Sequence, residues 1–235
     1  MISYTIRRVA RALKVSNFLS RVIDGGDGEK RVIKALERQI RVGDVLWDVG
    51  ANVGAYSVMM GVKVGDEGRV YAFEPHPGTF ESLVDAAREE NIICLNMALS
   101  DDSGEGLIGG QRDSATNSLA TSEFGENQLT VEVETGDSVV EHSLALCPNG
   151  VKVDVEGYEL KVSEGMGQTL LNSRVRFLVV EIHRRVLEKI EGPDSVRRIR
   201  LLLKSHGFRV RWIDSSHVLA TRMANSATFN GAGRS

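Results

Sequence analysis

Short apolar runs separated by segments of helical periodicity set the order of elements along this chain. Val45-Leu46-Trp47 is the first such run, and residues 69–73 (RVYAF) form a second, rich in strand formers. Residues 92–99 read as a third strand, and residues 177–182 (FLVVEI) as the fifth. In the fourth, period two puts Val151, Val153 and Val155 on one face and Lys152, Asp154 and Glu156 on the other. Between these runs the pattern predicts helices over 29–40, from Ala55, over 79–90 and after Gly157. In the segment 79–90, Phe80, Leu83, Val84 and Ala87 share one side. Residues 186–205 form a basic amphipathic region broken at Gly192-Pro193. Residues 208–213 and 217–221 then pair across Asp214-Ser215-Ser216 as an antiparallel pair that closes the sheet. Such alternation is that of an open α/β sheet.

Two regions depart from it. Between Gly104 and Glu141 the alternation gives way to short strands at 106–108 and 129–134. They flank a polar loop, residues 111–118, and read as an inserted hairpin beside the active site. At the start, Ile2, Ile6, Val9 and Leu13 recur at helical spacing, with Arg7, Arg8, Arg11 and Lys14 on other faces. That helix either packs on the domain with its basic face in solvent or makes peripheral contact with an anionic membrane surface. The chain thus divides into an N-terminal helical extension (1–40), one domain (41–224) and a small polar tail (225–235).

Composition narrows the class. The chain has 235 residues, 42% of them hydrophobic, enough for one α/β domain with a full core. A net charge of -3 gives no global pull toward nucleic acid, so a nucleic-acid partner is not expected. Cys94 and Cys147 stand far apart, in no C-x-x-C pair, as reduced thiols do in a cytoplasmic protein. Met1 to Val15 has no continuous apolar core, so neither a signal peptide nor a transmembrane segment is read there. Nothing in the sequence speaks to oligomeric state.

Candidate chemistry collects at the C-terminal ends of the predicted strands, where an open α/β sheet binds its ligands. After Trp47 the chain reads D-V-G-A-N-V-G, from Asp48 to Gly54. Gly50 and Gly54 permit a tight turn and close backbone approach to a ligand. The spacing is not the dinucleotide fingerprint G-x-G-x-x-G. An acidic residue two positions before the first glycine suits a cationic ligand such as S-adenosylmethionine. Glu74 ends the second strand some twenty residues on, and its two oxygens suit the two hydroxyls of a ribose. Ser100 and Asp101 end the third strand, within reach of an adenine amino group. Asp154 and Glu156 end the fourth, while Glu181 and His183 share a side at the end of the fifth.

Taken together these stretches resemble the FkbM-type S-adenosylmethionine-dependent methyltransferases. The resemblance rests on D-V-G-A-N-V-G, G-R-V-Y-A-F-E-P-H-P (68–77), N-M-A-L-S-D (96–101), V-K-V-D-V-E-G-Y-E (151–159) and E-I-H (181–183), in that order. It implies a class I methyltransferase fold: a Rossmann-like, seven-stranded, mostly parallel sheet, the last strand antiparallel, helices on both faces. O-methyl transfer is the activity it implies. It also implies that Asp48, Gly50, Asn52 and Gly54 surround the methionine part of the cofactor, with Glu74 on the ribose and Ser100 or Asp101 near the adenine. Asp154 and Glu156 then fall beside the transferred methyl. Thr135-Gly136-Asp137-Ser138-Val139 departs from the T-L-D-S-L common among relatives, and the loop before it is this chain's own.

The expected reaction is in-line methyl transfer to the hydroxyl of a sugar or other natural-product-like small molecule. Asp154 and His183 hold and deprotonate that hydroxyl, and Glu156 positions them. No metal is required in this reading. In a variant of it, Asp154, Glu181 and His183 bind magnesium or manganese. The rival readings are an RNA-directed methyltransferase, a non-catalytic S-adenosylmethionine-binding subunit and a nicotinamide dehydrogenase. The acidic balance, and the missing fingerprint in the last case, weigh against the first and third.

Overall fold

In the computed structural model, which describes residues 27–88, 91–109 and 128–223, the first apolar run becomes β1 (Val45–Val49), buried along its whole length. A strand covered on both faces reads as an unbroken apolar run, and Asp48 is its one charged residue. β2 (Arg69–Phe73), β3 (Ile92–Leu95), β7 (Gly150–Val153) and β8 (Phe177–Glu181) lie parallel to it. With β9 (Phe208–Trp212) and β10 (His217–Arg222) they form one sheet of seven strands, in the order β3-β2-β1-β7-β8-β10-β9. The last strand in the chain, β10, runs antiparallel between β8 and β9. Strand order reverses direction next to β1, and there the turn after β1 and the turn after β7 open onto the same edge.

Period two divides the core between the two faces of this sheet. Trp47, Phe73, Val151 and Leu178 face the helices Glu159–Glu164 and Ser195–Ser205, through Leu160, Val162 and Ile199. Leu46, Ala72 and Val179 face Val32 and Leu36 of the helix Asp27–Gln39 and Met59 of the helix Ala55–Val64. The helix Asp27–Gln39 therefore packs into the domain core. Helices on both faces are what the family resemblance implied.

Three local expectations change. Residues 92–99 are two strands rather than one. β3 ends at Leu95, and β4 (Ala98–Ser100) joins a separate sheet of order β4-β6-β5, with β5 at Gly104–Gly109 and β6 at Gln128–Thr135. Asn96 makes the break: its Nδ2 donates to the carbonyls of Glu74 at 2.8 Å and Pro75 at 3.0 Å, so the chain turns where the strand pattern would continue. The helix expected over 79–90 spans Pro77–Ala86, capped by His76, whose Nδ1 accepts from the Thr79 amide at 3.2 Å. A short helix, Gly136–Glu141, starts where no periodicity announced it; Thr135 Oγ1 accepts from the Ser138 amide at 2.9 Å.

β5 and β6 pair antiparallel, as the inserted hairpin requires. The loop 111–118, the N-terminal amphipathic helix and the tail 225–235 lie outside the described residues. Among the described residues no helix is long and apolar enough to cross a membrane.

The second sheet meets the helix Glu159–Glu164 at Gly165, where a Cβ would lie 1.9 Å from the Ser100 carbonyl oxygen. Gly165 has ordinary right-handed angles (φ -70°), so only this contact forbids a side chain. Gly165→Ala is expected to destabilise the fold by about 1–3 kcal/mol, against the usual gain for glycine to alanine. Chemical denaturation measures it.

Candidate active site

The turn after β1 is shaped by close approach. Gly50 (φ 78°), Asn52 (φ 51°) and Gly54 (φ 85°) all take left-handed angles. A Cβ on Gly50 would stand 1.8 Å from the Asp154 carbonyl oxygen. The turn is fastened to β2 as well, since the Gly50 and Ala51 amides donate to the Phe73 carbonyl at 3.1 and 2.9 Å. Glu74 completes the link. Its Oε2 accepts from the Asn52 amide and its Oε1 from the His76 amide, each at 2.9 Å. Each carboxylate oxygen keeps a second lone pair for a ligand donor. Burial pushes the Glu74 carboxyl above its ordinary value.

A cleft runs along this edge. Gly50, Asn52 and Glu74 line one part, Met97, Ala98 and Leu99 an apolar part, and Asp154 and Glu156 its far end. Ser100 and Asp101 are not among its lining residues. Ser100 Oγ donates to Asp101 Oδ1 at 2.9 Å, and Asp101 pairs with Lys161 at 3.2 Å. Asp48 lies out of solvent and also outside the lining, with Oδ2 accepting from Ser57 Oγ at 2.6 Å.

Lys152 was not singled out in the sequence, yet it joins the two ends of the site. It stands beside Asp48 in the β1–β7 register, nearly buried. Its Nζ is 3.4 Å from Asp48 Oδ1 and 3.2 Å from Asp154 Oδ2, over the ring of Tyr56. Burial opposes its charge, but Asp154 and Asp48 outweigh burial and raise its pKa. Period two had placed Lys152, Asp154 and Glu156 on one face; only the neighbouring strand shows that the lysine is enclosed.

The far end gathers around His183, which follows β8 and caps the helix Arg184–Glu191. Its Nδ1 is 2.7 Å from Oε1 of Glu159, a fully buried carboxylate. Its Nε2 faces Glu156 Oε2 at 3.2 Å, Asp154 Oδ1 at 3.8 Å and Glu181 Oε1 at 3.8 Å. Burial would lower the imidazole pKa, but the Glu159 hydrogen bond and the carboxylates together lift it to about 9. Burial is the main reason Glu156 rises to about 7. Glu181 is drawn the other way: its Oε2 lies 3.1 Å from Nε2 of His217, which Asp214 holds in turn at 3.0 Å. The grouping expected for a metal, Asp154 with Glu181 and His183, is therefore not the tightest. Glu156 takes the place of Glu181, and Asp154, Glu156 and His183 bring one ligand atom each within 4.8 Å of one another. His217 was not singled out in the sequence, and Glu159 stood there only as the last residue of the motif 151–159, with no role given to it.

Comparison with known proteins bears on the family. The methyltransferase FkbM domain matches residues 48–210. The hexuronic acid methyltransferase AglP of Haloferax volcanii is 37% identical over 158 residues, 66% of this chain and 63% of that protein. The chain thus matches somewhat under two thirds of that relative's length. The 31-O-demethyl-FK506 methyltransferase FkbM of Streptomyces tacrolimicus is 29% identical over 205 residues, covering 73% of this chain and 75% of that protein. Among solved structures, methyltransferase FkbM from Methylobacillus flagellatus superposes with a TM-score of 0.51 at 15% identity, over 76% of this chain and 43% of that one. A putative rRNA-methylase from Clostridium thermocellum gives 0.56 at 10% identity, over 85% and 97%; likeness at such identities speaks to the fold alone. With the motifs, the sheet order and the family match over most of its length in agreement, the chain belongs to the FkbM family of S-adenosylmethionine-dependent methyltransferases.

Proposed function

We propose that this protein methylates an oxygen of a sugar acceptor, a hexuronic acid being the first class to test. The observation that carries the reading is that one cleft joins Glu74 and the glycine turn to Asp154 and Glu156. The hexuronic acid activity of the relative at 37% identity supports the sugar.

The residues along the cleft fit the cofactor of the family. Gly50 and Asn52 of the turn line the cleft beside Glu74. Glu74 offers the free lone pairs that a ribose diol needs. Asn52, in the turn that Gly50 and Gly54 shape, would meet the methionine portion. Met97, Ala98 and Leu99 would wall the adenine, while Ser100 and Asp101, outside the lining, are engaged with each other and with Lys161. S-adenosylmethionine, when bound, supplies a methyl group already activated as a sulfonium.

What remains for the protein is orientation and a proton. Asp154 and Glu156 face the acceptor end of the cleft, and His183 ties them together. Their carboxylates accept the acceptor's O–H and fix its oxygen for in-line attack. As the new carbon–oxygen bond forms and the carbon–sulfur bond breaks, the hydroxyl proton passes to a carboxylate of this cluster.

The direct experiment supplies labelled S-adenosylmethionine with hexuronic acids and neutral hexoses as acceptors. Label should enter an acid-containing sugar, and a panel without any labelled sugar would sink the reading. Asp154→Asn should lower kcat by about 100-fold or more while cofactor affinity, measured calorimetrically, changes little. Glu74→Gln should weaken cofactor binding by roughly tenfold or more, the value of a charge-assisted hydrogen bond. Cofactor affinity should also depend on pH through Glu74. The ionised carboxylate accepts the ribose hydroxyls, and burial raises its pKa, so affinity is full at higher pH and falls as pH drops through that raised value. Calorimetric titrations across pH check this, and Glu74→Gln should flatten the dependence.

A further inference from the structure

The geometry points to a divalent-cation site formed by Asp154, Glu156 and the Nε2 of His183. It rests on the sugar-acceptor reading only for what the cation does, not for whether it binds.

The argument starts from Glu159. Its Oε1 already accepts from the Gly157 amide at 2.9 Å and sits 2.7 Å from His183 Nδ1. A carboxylate there holds a ring proton on Nδ1 and turns Nε2 away from Glu159. Nε2 faces the carboxylates of Glu156, Asp154 and Glu181 at 3.2 to 3.8 Å. Three carboxylates converging on Nε2 call for positive charge, which the ring supplies when it is protonated and a divalent ion supplies when it displaces that proton. An imidazole oriented on one nitrogen by a buried carboxylate, with its other nitrogen turned to further carboxylates, is the arrangement of a metal-bound histidine.

Neighbouring cations are committed elsewhere. Lys152 bridges Asp48 and Asp154 from the far side, and His217 holds Glu181 against Asp214. Oε2 of Glu159 is buried with no hydrogen-bond partner among the described residues. The three candidate ligand atoms lie within 4.8 Å of one another. Donors around an ion with bonds of about 2.1–2.2 Å stand roughly 3 to 4.4 Å apart, so small side-chain shifts close the set. Two carboxylates and one imidazole suit Mn²⁺ better than the all-oxygen preference of Mg²⁺ or Ca²⁺. Both carboxylates also line the cleft, so the open coordination positions face the acceptor. A cation there offsets the acidic edge that would otherwise repel a hexuronate, and it draws the acceptor oxygen toward the cluster.

The test uses the full chain freed of metal by a chelator, then titrated with Mn²⁺ by calorimetry and electron paramagnetic resonance. One Mn²⁺ should bind per chain. Affinity should fall about tenfold or more in Asp154→Asn, in His183→Gln and in the orienting variant Glu159→Gln. Circular dichroism and S-adenosylmethionine binding report in parallel that each variant is folded. No saturable Mn²⁺ binding up to millimolar concentration overturns the site, as does binding that Asp154→Asn and His183→Gln leave unchanged. A parallel methylation assay separates the two readings. Sugar methylation by a protein that binds no Mn²⁺ overturns the cation site alone. Saturable, variant-sensitive Mn²⁺ binding without any sugar methylated upholds the site and overturns the acceptor reading.

Discussion

Lys152 sits almost without solvent between Asp48 at the end of β1 and Asp154 just beyond the end of β7. An ammonium buried alone would give up its proton; two carboxylates keep this one charged. The arrangement is reciprocal, because each carboxylate would be costly without the lysine, and removing one member of such a buried set costs about 3–5 kcal/mol. Neighbouring parallel strands ordinarily share only backbone hydrogen bonds. Here they also share a charge, and that charge fixes where β1 and β7 part to form the cleft. The glycine turn lies on one side of it and the His183 cluster on the other.

The backbone enforces the same junction. Gly50 packs against the Asp154 carbonyl at a distance no Cβ tolerates, and Gly165 does the same against Ser100. These two contacts press the glycine turn against the chain just after β7 and the second sheet against the helix Glu159–Glu164. That helix in turn brings Glu159, fully buried, under His183. The site is thus built from strand ends held at close range rather than from a loop folded over the sheet. Side chains mounted on such ends have little freedom, and a reaction that depends on orientation benefits from that.

Much of this was legible beforehand because it is local. Strands covered on both faces must be apolar, so β1, β2, β7 and β8 announce themselves, and charged residues at their ends stand out. Asp48, Glu74, Asp154, Glu156 and His183 stood out as candidates in that way, and the structure brings Glu74, Asp154 and Glu156 to one cleft. The split of residues 92–99 was not legible, because the pattern stays apolar across Asn96 and only its bonds to Glu74 and Pro75 show where the chain turns. The helix Gly136–Glu141 was missed because six residues are too few to show a period.

By itself, then, the sequence determined the fold class, through local patterns of hydrophobicity and turn residues, and the family, through motifs that resemble it. It also marked the strand ends where candidate chemistry collects, because charged residues stand out at the ends of apolar runs. Only the tertiary structure decided how the charges pair: Lys152 with Asp48 and Asp154, Glu159 with His183, Glu181 with His217. The physical reason is that a charge's partner and burial depend on neighbours distant in sequence. Asp48 and Lys152 are side by side in the sheet yet more than a hundred positions apart in the chain, and no local periodicity encodes that distance.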